Sequence, residues 1–190
     1  MIRSHDEPVV LTLVVEGPAT MVESPAVSEA TTERLRRGVR ALRLDLRDCT
    51  ALDSTFSGTL LSLKRQLEDV GGTLTLVSPS AKVIDLLRQM DLEDFYTIEI
   101  ADRIGGLLTD VPTTRPNDER LSRLIVDAHE QLSRVPGAAG AAFRTVVEEM
   151  RRDETSSPSG NGPPTGAARS DDRHAAADTP KPPSRATSRA

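Results

Sequence analysis

Residues 151–190 contain no Val, Ile, Leu, Met, Phe, Trp, Tyr or Cys, while holding six Pro, three Gly and six Ser. A segment of that composition cannot bury enough apolar surface to offset the entropy lost on ordering it. The fold must be built by the residues before it, and residues 153–190 are expected to form a disordered tail. Residues 151–190 carry seven basic and five acidic side chains, which leaves 17 basic and 24 acidic ones, a net charge of −7, on residues 1–150. That balance lacks the strongly basic footprint of a nucleic-acid-binding domain. Apolar runs such as Leu11–Val15 fall far short of the roughly 20 residues a membrane helix needs. Met1–Pro8 lacks the apolar core of a signal peptide. Cys49 is the single cysteine, so no internal disulfide and no thiolate metal cluster can form. Aromatic residues make up 2%, with no Trp, which argues against stacking platforms for nucleic acid or sugars. The expectation is a cytoplasmic protein with no membrane insertion, no direct nucleic-acid contact, no metal and no cofactor.

The apolar pattern of the first hundred residues alternates between strand and helix periods. Val9–Val15 reads V-V-L-T-L-V-V, a buried strand ending in a turn at Glu16-Gly17-Pro18. Ala19–Val22 is read as a short return strand. Ser24-Pro25 predicts a helix start, with Ser24 as the cap and Pro25 at the first helical position. Val39–Leu46 predicts a second long strand. Phe56, Leu60, Leu63 and Leu67 then fall on one stripe of an amphipathic helix that stops at Gly71-Gly72. Thr73–Val77 is a third strand, and Ser80 caps a helix carrying Val83, Leu86, Leu87 and Met90 on one face. Phe95–Ile100 reads as a last strand.

This order predicts an α/β fold, a mixed four- to five-stranded sheet packed with helices and parallel in its βαβ portions. Two prolines and two threonines in Asp110–Pro116 mark a seam. Beyond it Leu121, Leu124, Ile125, Ala128 and Leu132 share one helical face, Val135-Pro136-Gly137 breaks the run, and Phe143, Val146, Val147 and Met150 form a second stripe. The expected organisation is a sheet domain over 1–110, a linker over 111–116, a helical hairpin over 117–152 and the tail. Short helices are stabilised mainly by packing an apolar face. The hairpin must therefore dock on the sheet domain, self-associate through 117–152, or capture a partner.

The chemistry-bearing residues are sparse. His5, His129 and His174 share no motif, and Asp127-Ala-His-Glu130 is not a zinc-binding H-E-x-x-H. His129 is read as a partly exposed helical histidine. No phosphate-binding glycine frame and no nucleophile elbow occur. Catalytic residues are therefore assigned to none. What stands out is Leu52-Asp-Ser-Thr-Phe-Ser-Gly58, where hydroxyls at Ser54, Thr55 and Ser57 crowd a helix start. Capping by Asp53 or Ser54 accounts for part of that pattern, worth about 0.5–2 kcal/mol.

The apolar strand ending in Asp45, the Asp53-Ser54 pair at the helix start and Gly71-Gly72 before the next strand resemble a STAS domain of the anti-sigma-factor antagonists, over roughly residues 8–102. Many antagonists read D-S-S-G-x-G; this chain reads D-S-T-F-S-G, with Gly58 at the second glycine and Phe56 at the first. The resemblance implies a STAS-like sheet and a phosphoacceptor at Ser54, with Thr55 as the second candidate. It implies a partner-binding segment formed by Asp53, Ser54, Thr55, Phe56, Ser57 and Gly58. The implied partner is an anti-sigma factor with serine-kinase activity, which the antagonist sequesters so that a sigma factor is freed for transcription. STAS-like domains also serve as accessory or scaffold subunits in stressosome-like assemblies and lipid-transport ATP-binding-cassette complexes. A small serine hydrolase with Ser54 as nucleophile is a third reading; it needs a base within hydrogen-bond reach, and no histidine is placed by sequence near that helix start.

Overall fold

The computed structural model describes residues 1–103, 107–113 and 117–156. The first four residues of the expected tail, 153–156, are helical and extend the hairpin; from residue 157 onward the tail lies outside the described residues, as do 114–116 of the expected linker and His174. Among the described residues, no helix is long and apolar enough to cross a membrane.

The architecture is the α/β arrangement expected, built on β1 (Ile2–Asp6), β2 (Val10–Val15), β3 (Gly17–Ala19), α1 (Ser24–Arg36), β4 (Ala41–Asp45), β5 (Cys49–Leu52), α2 (Ser54–Asp69), β6 (Thr73–Val77), α3 (Ala81–Gln89), β7 (Thr97–Glu99), β8 (Thr109–Asp110), α4 (Asp118–Ser133) and α5 (Ala138–Ser156). Six strands form the main sheet in the order β7-β6-β4-β2-β1-β8. The βαβ crossovers make β2, β4, β6 and β7 parallel, while β1 pairs antiparallel with both β2 and β8. The central strands are buried mainly on one face, while Ala41 and Arg43 of β4 and Thr73 and Thr75 of β6 stand on the more open one. Leu11, Leu13 and Val15 of β2 and Leu42 and Leu44 of β4 are all buried. At one edge all three residues of β7 are exposed in part, and its Glu99 pairs with Arg43 at 2.8 Å. A short, charged edge strand of this kind resists pairing with other chains.

The structure departs from the sequence reading at several points, each with a local cause. The sheet has two further strands, β1 and β8, at the edge away from β7. Only Ile2 and Ser4 of β1 are buried, a pattern too thin to mark a strand in the sequence. The predicted return strand at Ala19–Val22 is instead β3, which ends at Ala19 and runs parallel to β5 in a separate two-stranded ribbon. The chain then turns about Thr20, whose carbonyl accepts from the amides of Glu23 and Ser24. This turn moves the α1 cap to Glu23, which makes no side-chain capping bond, and Ser24 becomes a helical residue donating its hydroxyl to the Thr20 carbonyl at 2.9 Å. β5, which carries no strand signal in the sequence, delivers the chain to the start of α2.

At the end of β4, the buried Asp45 accepts from both the backbone amide and the guanidinium of Arg47. Arg47 also donates to the carbonyls of Ala101 and Asp102 at 2.8 and 3.0 Å. The strand-terminal carboxylate thus fixes an arginine that clamps the chain leaving β7. At the other end of α2, Gly71 takes a positive φ of 69° to reverse the helix, and Gly72 passes so close to the Arg40 carbonyl that a Cβ would lie 2.3 Å from it. Both glycines are therefore turn and close-approach residues.

Candidate functional site

The first turn of α2 is where β5 hands the chain to a helix, and Asp53 organises it. Asp53 is extended at φ −99° and ψ 172°, outside the helix, and its Oδ1 accepts from the Phe56 amide at 2.8 Å. Its Oδ2 accepts from the Met21 amide at 2.8 Å, and its own amide donates to the Ala19 carbonyl. One carboxylate therefore caps α2 and ties it to the turn before α1.

The six residues from Asp53 to Gly58 do not share one environment. Asp53 and Ser54 are half-buried; Thr55, Phe56, Ser57 and Gly58 are buried. Phe56 has no exposed surface and sits in the core with Leu60, Leu63 and Leu67, the predicted stripe of α2. Ser57 turns its hydroxyl back onto the Asp53 carbonyl at 2.8 Å. Thr55 is 5% exposed, and its carbonyl accepts from the Thr59 hydroxyl. Ser54 is thus the single hydroxyl of the segment with a partly open position.

That hydroxyl has a partner the sequence does not announce. Ser54 Oγ lies 3.0 Å from His129 Nε2, and His129 Nδ1 lies 2.7 Å from the Ile125 carbonyl. A carbonyl can only accept, so Nδ1 carries the proton, Nε2 is the acceptor, and the Ser54 hydroxyl donates to it. His129 is 7% exposed and its ring packs against Phe143 with centroids 5.8 Å apart. Two expectations from the sequence are corrected here: His129 is buried rather than partly exposed, and a histidine does stand beside the start of α2. The signal was present, since His129 follows Ile125 by four and precedes Leu132 by three. That spacing puts it on the apolar face of α4.

The contact around the pair is close. A Cβ on Gly58 would stand 2.1 Å from the Ala128 carbonyl oxygen, so the α4 backbone is seated directly on α2 where α2 has no side chain. Further along α2, Arg65 bonds to Gln131. Leu132 and Val135 are buried in the main core, and Arg120 pairs with Glu29 of α1 at 3.0 Å on the surface. Ser54, Gly58 and Arg65, with the buried Leu61 between them at helical spacing, thus form a second, mixed stripe on α2, covered by α4. His5 is remote from this site, on β1, with Nδ1 3.3 Å from the Leu107 carbonyl.

Chemically, the first turn of a helix presents unpaired amides and the positive end of its dipole, which favour an anion. A negative group acquired at Ser54 would be tolerated by the helix itself. The same group would disturb whatever lies against the Ser54–Gly58–Arg65 stripe.

The family model described as "Mlab, STAS domain" matches residues 2–102. A search of curated proteins returned no match. Among solved structures, the chain is similar to the anti-sigma factor antagonist SpoIIAA in its unphosphorylated form, at 17% identity and a TM-score of 0.49, covering 54% of this chain and 90% of that one. The phosphorylated form of the Bacillus cell fate determinant SpoIIAA aligns at 15% identity and a TM-score of 0.46, covering 54% and 93%. An anti-sigma factor antagonist from Mycobacterium paratuberculosis aligns at 20% and 0.46, covering 52% and 84%. The family model spans more than half of the chain, from β1 to the residues Arg47 clamps after β7: this protein belongs to the STAS-domain family.

Proposed function

We propose that the chain is an anti-sigma-factor antagonist, a binding module switched by phosphorylation of Ser54 and not itself an enzyme. The observation that carries this reading is the selection of one hydroxyl. Of Ser54, Thr55 and Ser57, only Ser54 is partly open to solvent, and it stands at the anion-tolerant start of α2 beside Asp53. A serine-kinase anti-sigma factor would transfer the γ-phosphoryl of ATP to Ser54 Oγ. The new O–P bond forms as the bond to ADP breaks, and the hydroxyl proton passes to the kinase's base. The phosphate adds about −1.5 to −2 charges at pH 7 and disfavours docking by desolvation and repulsion next to Asp53. Unmodified, the protein holds the anti-sigma factor in the cytoplasm and a sigma factor is released to transcription.

The test is binding of Ser54→Ala and Ser54→Asp to a serine-kinase anti-sigma factor. Ser54→Ala should retain affinity, and Ser54→Asp should lose about 150-fold, equivalent to about 3 kcal/mol. Equal affinities with unchanged melting contradict the reading. A pull-down that returns an ATPase subunit or stressosome components instead of a kinase would assign the domain to one of the accessory roles.

The serine–histidine contact supports a second reading, a hydrolase. Ser54 has a neutral imidazole at hydrogen-bond distance, held in the accepting tautomer by the Ile125 carbonyl, the geometry a serine nucleophile needs. A fluorophosphonate probe that modifies Ser54 but not Ser54→Ala would favour it. Complete inertness would leave the bond a structural one.

A further inference from the structure

The face of α2 that bears Ser54 is already occupied, and the occupant belongs to the same chain. α4 lies outside the matched family segment of residues 2–102, yet it seats His129 on Ser54 and its Ala128 backbone on Gly58. We propose that the α4–α5 hairpin is a cover acting in cis: it fills a helix-docking face on α2, and a partner reaches that face only when the hairpin moves off. The partner that fits is one presenting a helix of its own, with a small residue opposite Gly58 and a hydrogen-bond acceptor opposite Ser54, since those are the features α4 supplies.

Two properties of the contact bear on how it opens. Its α2 side mixes polar and apolar residues, with the buried Leu61 at helical spacing between Gly58 and the Arg65 that bonds to Gln131. Its α4 side is only half engaged: of α4's residues only Ala128, His129 and Leu132 are buried, while the first turn from Asp118 to Arg120 is exposed. Elements with few buried apolar contacts open at lower free energy than the core. The cover also bears on modification. Ser54 Oγ is bonded to His129 Nε2 at 3.0 Å, so α4 stands over part of the approach to the hydroxyl and opening widens a kinase's access to it. Partner affinity and phosphorylation rate are both scaled by the fraction of molecules in which the hairpin is off. This regulatory meaning rests on the antagonist reading of Ser54; the cover itself does not.

The experiment uses the full chain with Ser54→Cys and a maleimide, together with hydrogen exchange on the unsubstituted protein. Native Cys49 does not interfere, because it is 2% exposed, burial pushes its thiol pKa up, and its Sγ donates to the Ala51 carbonyl. The introduced thiol should label at least about tenfold more slowly than an exposed thiol, and the amides of α4 should exchange at least about tenfold faster than those of β4. Added to Ser54→Cys, Ala128→Trp wedges α4 from its own side and should raise the labelling rate by about tenfold or more while β4 protection is kept. His129→Ala, which adds no bulk, should raise it by a smaller factor. Labelling at the exposed-thiol rate in Ser54→Cys alone overturns the cover, as does a slow rate that neither added substitution moves, or exchange of α4 only together with β4. A gated thiol in Ser54→Cys, with a native Ser54 that no kinase modifies, retains the cover and removes the switch. A phosphorylated Ser54, with an ungated thiol in Ser54→Cys, does the reverse.

Discussion

α2 has two buried sides that differ in kind. Toward the sheet it presents Phe56, Leu60, Leu63 and Leu67, none with any exposed surface. Toward α4 it presents Ser54, Gly58, Leu61 and Arg65: Ser54 and Arg65 each make one side-chain hydrogen bond to α4, Gly58 meets the α4 backbone, and Leu61 is buried. The first side is held by apolar burial and cannot separate without unfolding the domain. The second adds a close backbone contact and a few polar bonds, whose net worth is about 0.5–1.5 kcal/mol each, to the burial of Leu61 and of Leu132 and Val135 from the hairpin. The difference teaches that one helix can be wholly apolar on one side and a mixed, closely seated helix contact on the other.

The comparison can be broken by substitutions on either side. Phe56→Ala should cost the whole domain about 3–5 kcal/mol, read from urea unfolding, because a fully enclosed ring leaves a cavity between α2 and the sheet. A loss under about 1 kcal/mol would mean that Phe56 is not the core residue its burial implies. Gly58→Val should cost about 1–3 kcal/mol, and the loss should fall on the α4 contact, since its Cβ meets the Ala128 backbone. Hydrogen exchange should then show α4 and α5 deprotected with β4 unchanged; uniform deprotection would erase the distinction between the two sides. Asp53→Ala removes the bonds to both the Phe56 and Met21 amides and should cost about 0.5–2 kcal/mol in chemical denaturation. Ser54→Ala should cost least, about 0.5–1.5 kcal/mol, and sharpens the comparison by loosening α4 alone.

The sheet-facing side of α2 is legible in the sequence because its stripe follows the helical period, and so is the Ser80 cap of α3, whose hydroxyl oxygen accepts from the Val83 amide. Asp53 is one of two candidate caps in the sequence, and the structure makes its role specific. The edge strands β1 and β8 are not legible. β8 is two residues long, and β1 buries only alternate side chains, so neither rises above the pattern of a loop. The α4-facing side escapes the sequence for another reason. Gly58 and Ala128 mark a close helix crossing by what they lack, and the pairing of Ser54 with His129 joins residues far apart in the chain. A single sequence carries the periodicity of each helix but not the rotation at which two helices meet.

The most direct measurement of the central claim is phosphosite mapping by mass spectrometry after the full chain is incubated with serine-kinase anti-sigma factors and ATP. The account predicts one phosphate, on Ser54, absent in Ser54→Ala. A phosphate on Thr55 or elsewhere, or an unmodified Ser54 in the presence of a kinase that binds the chain, would contradict it.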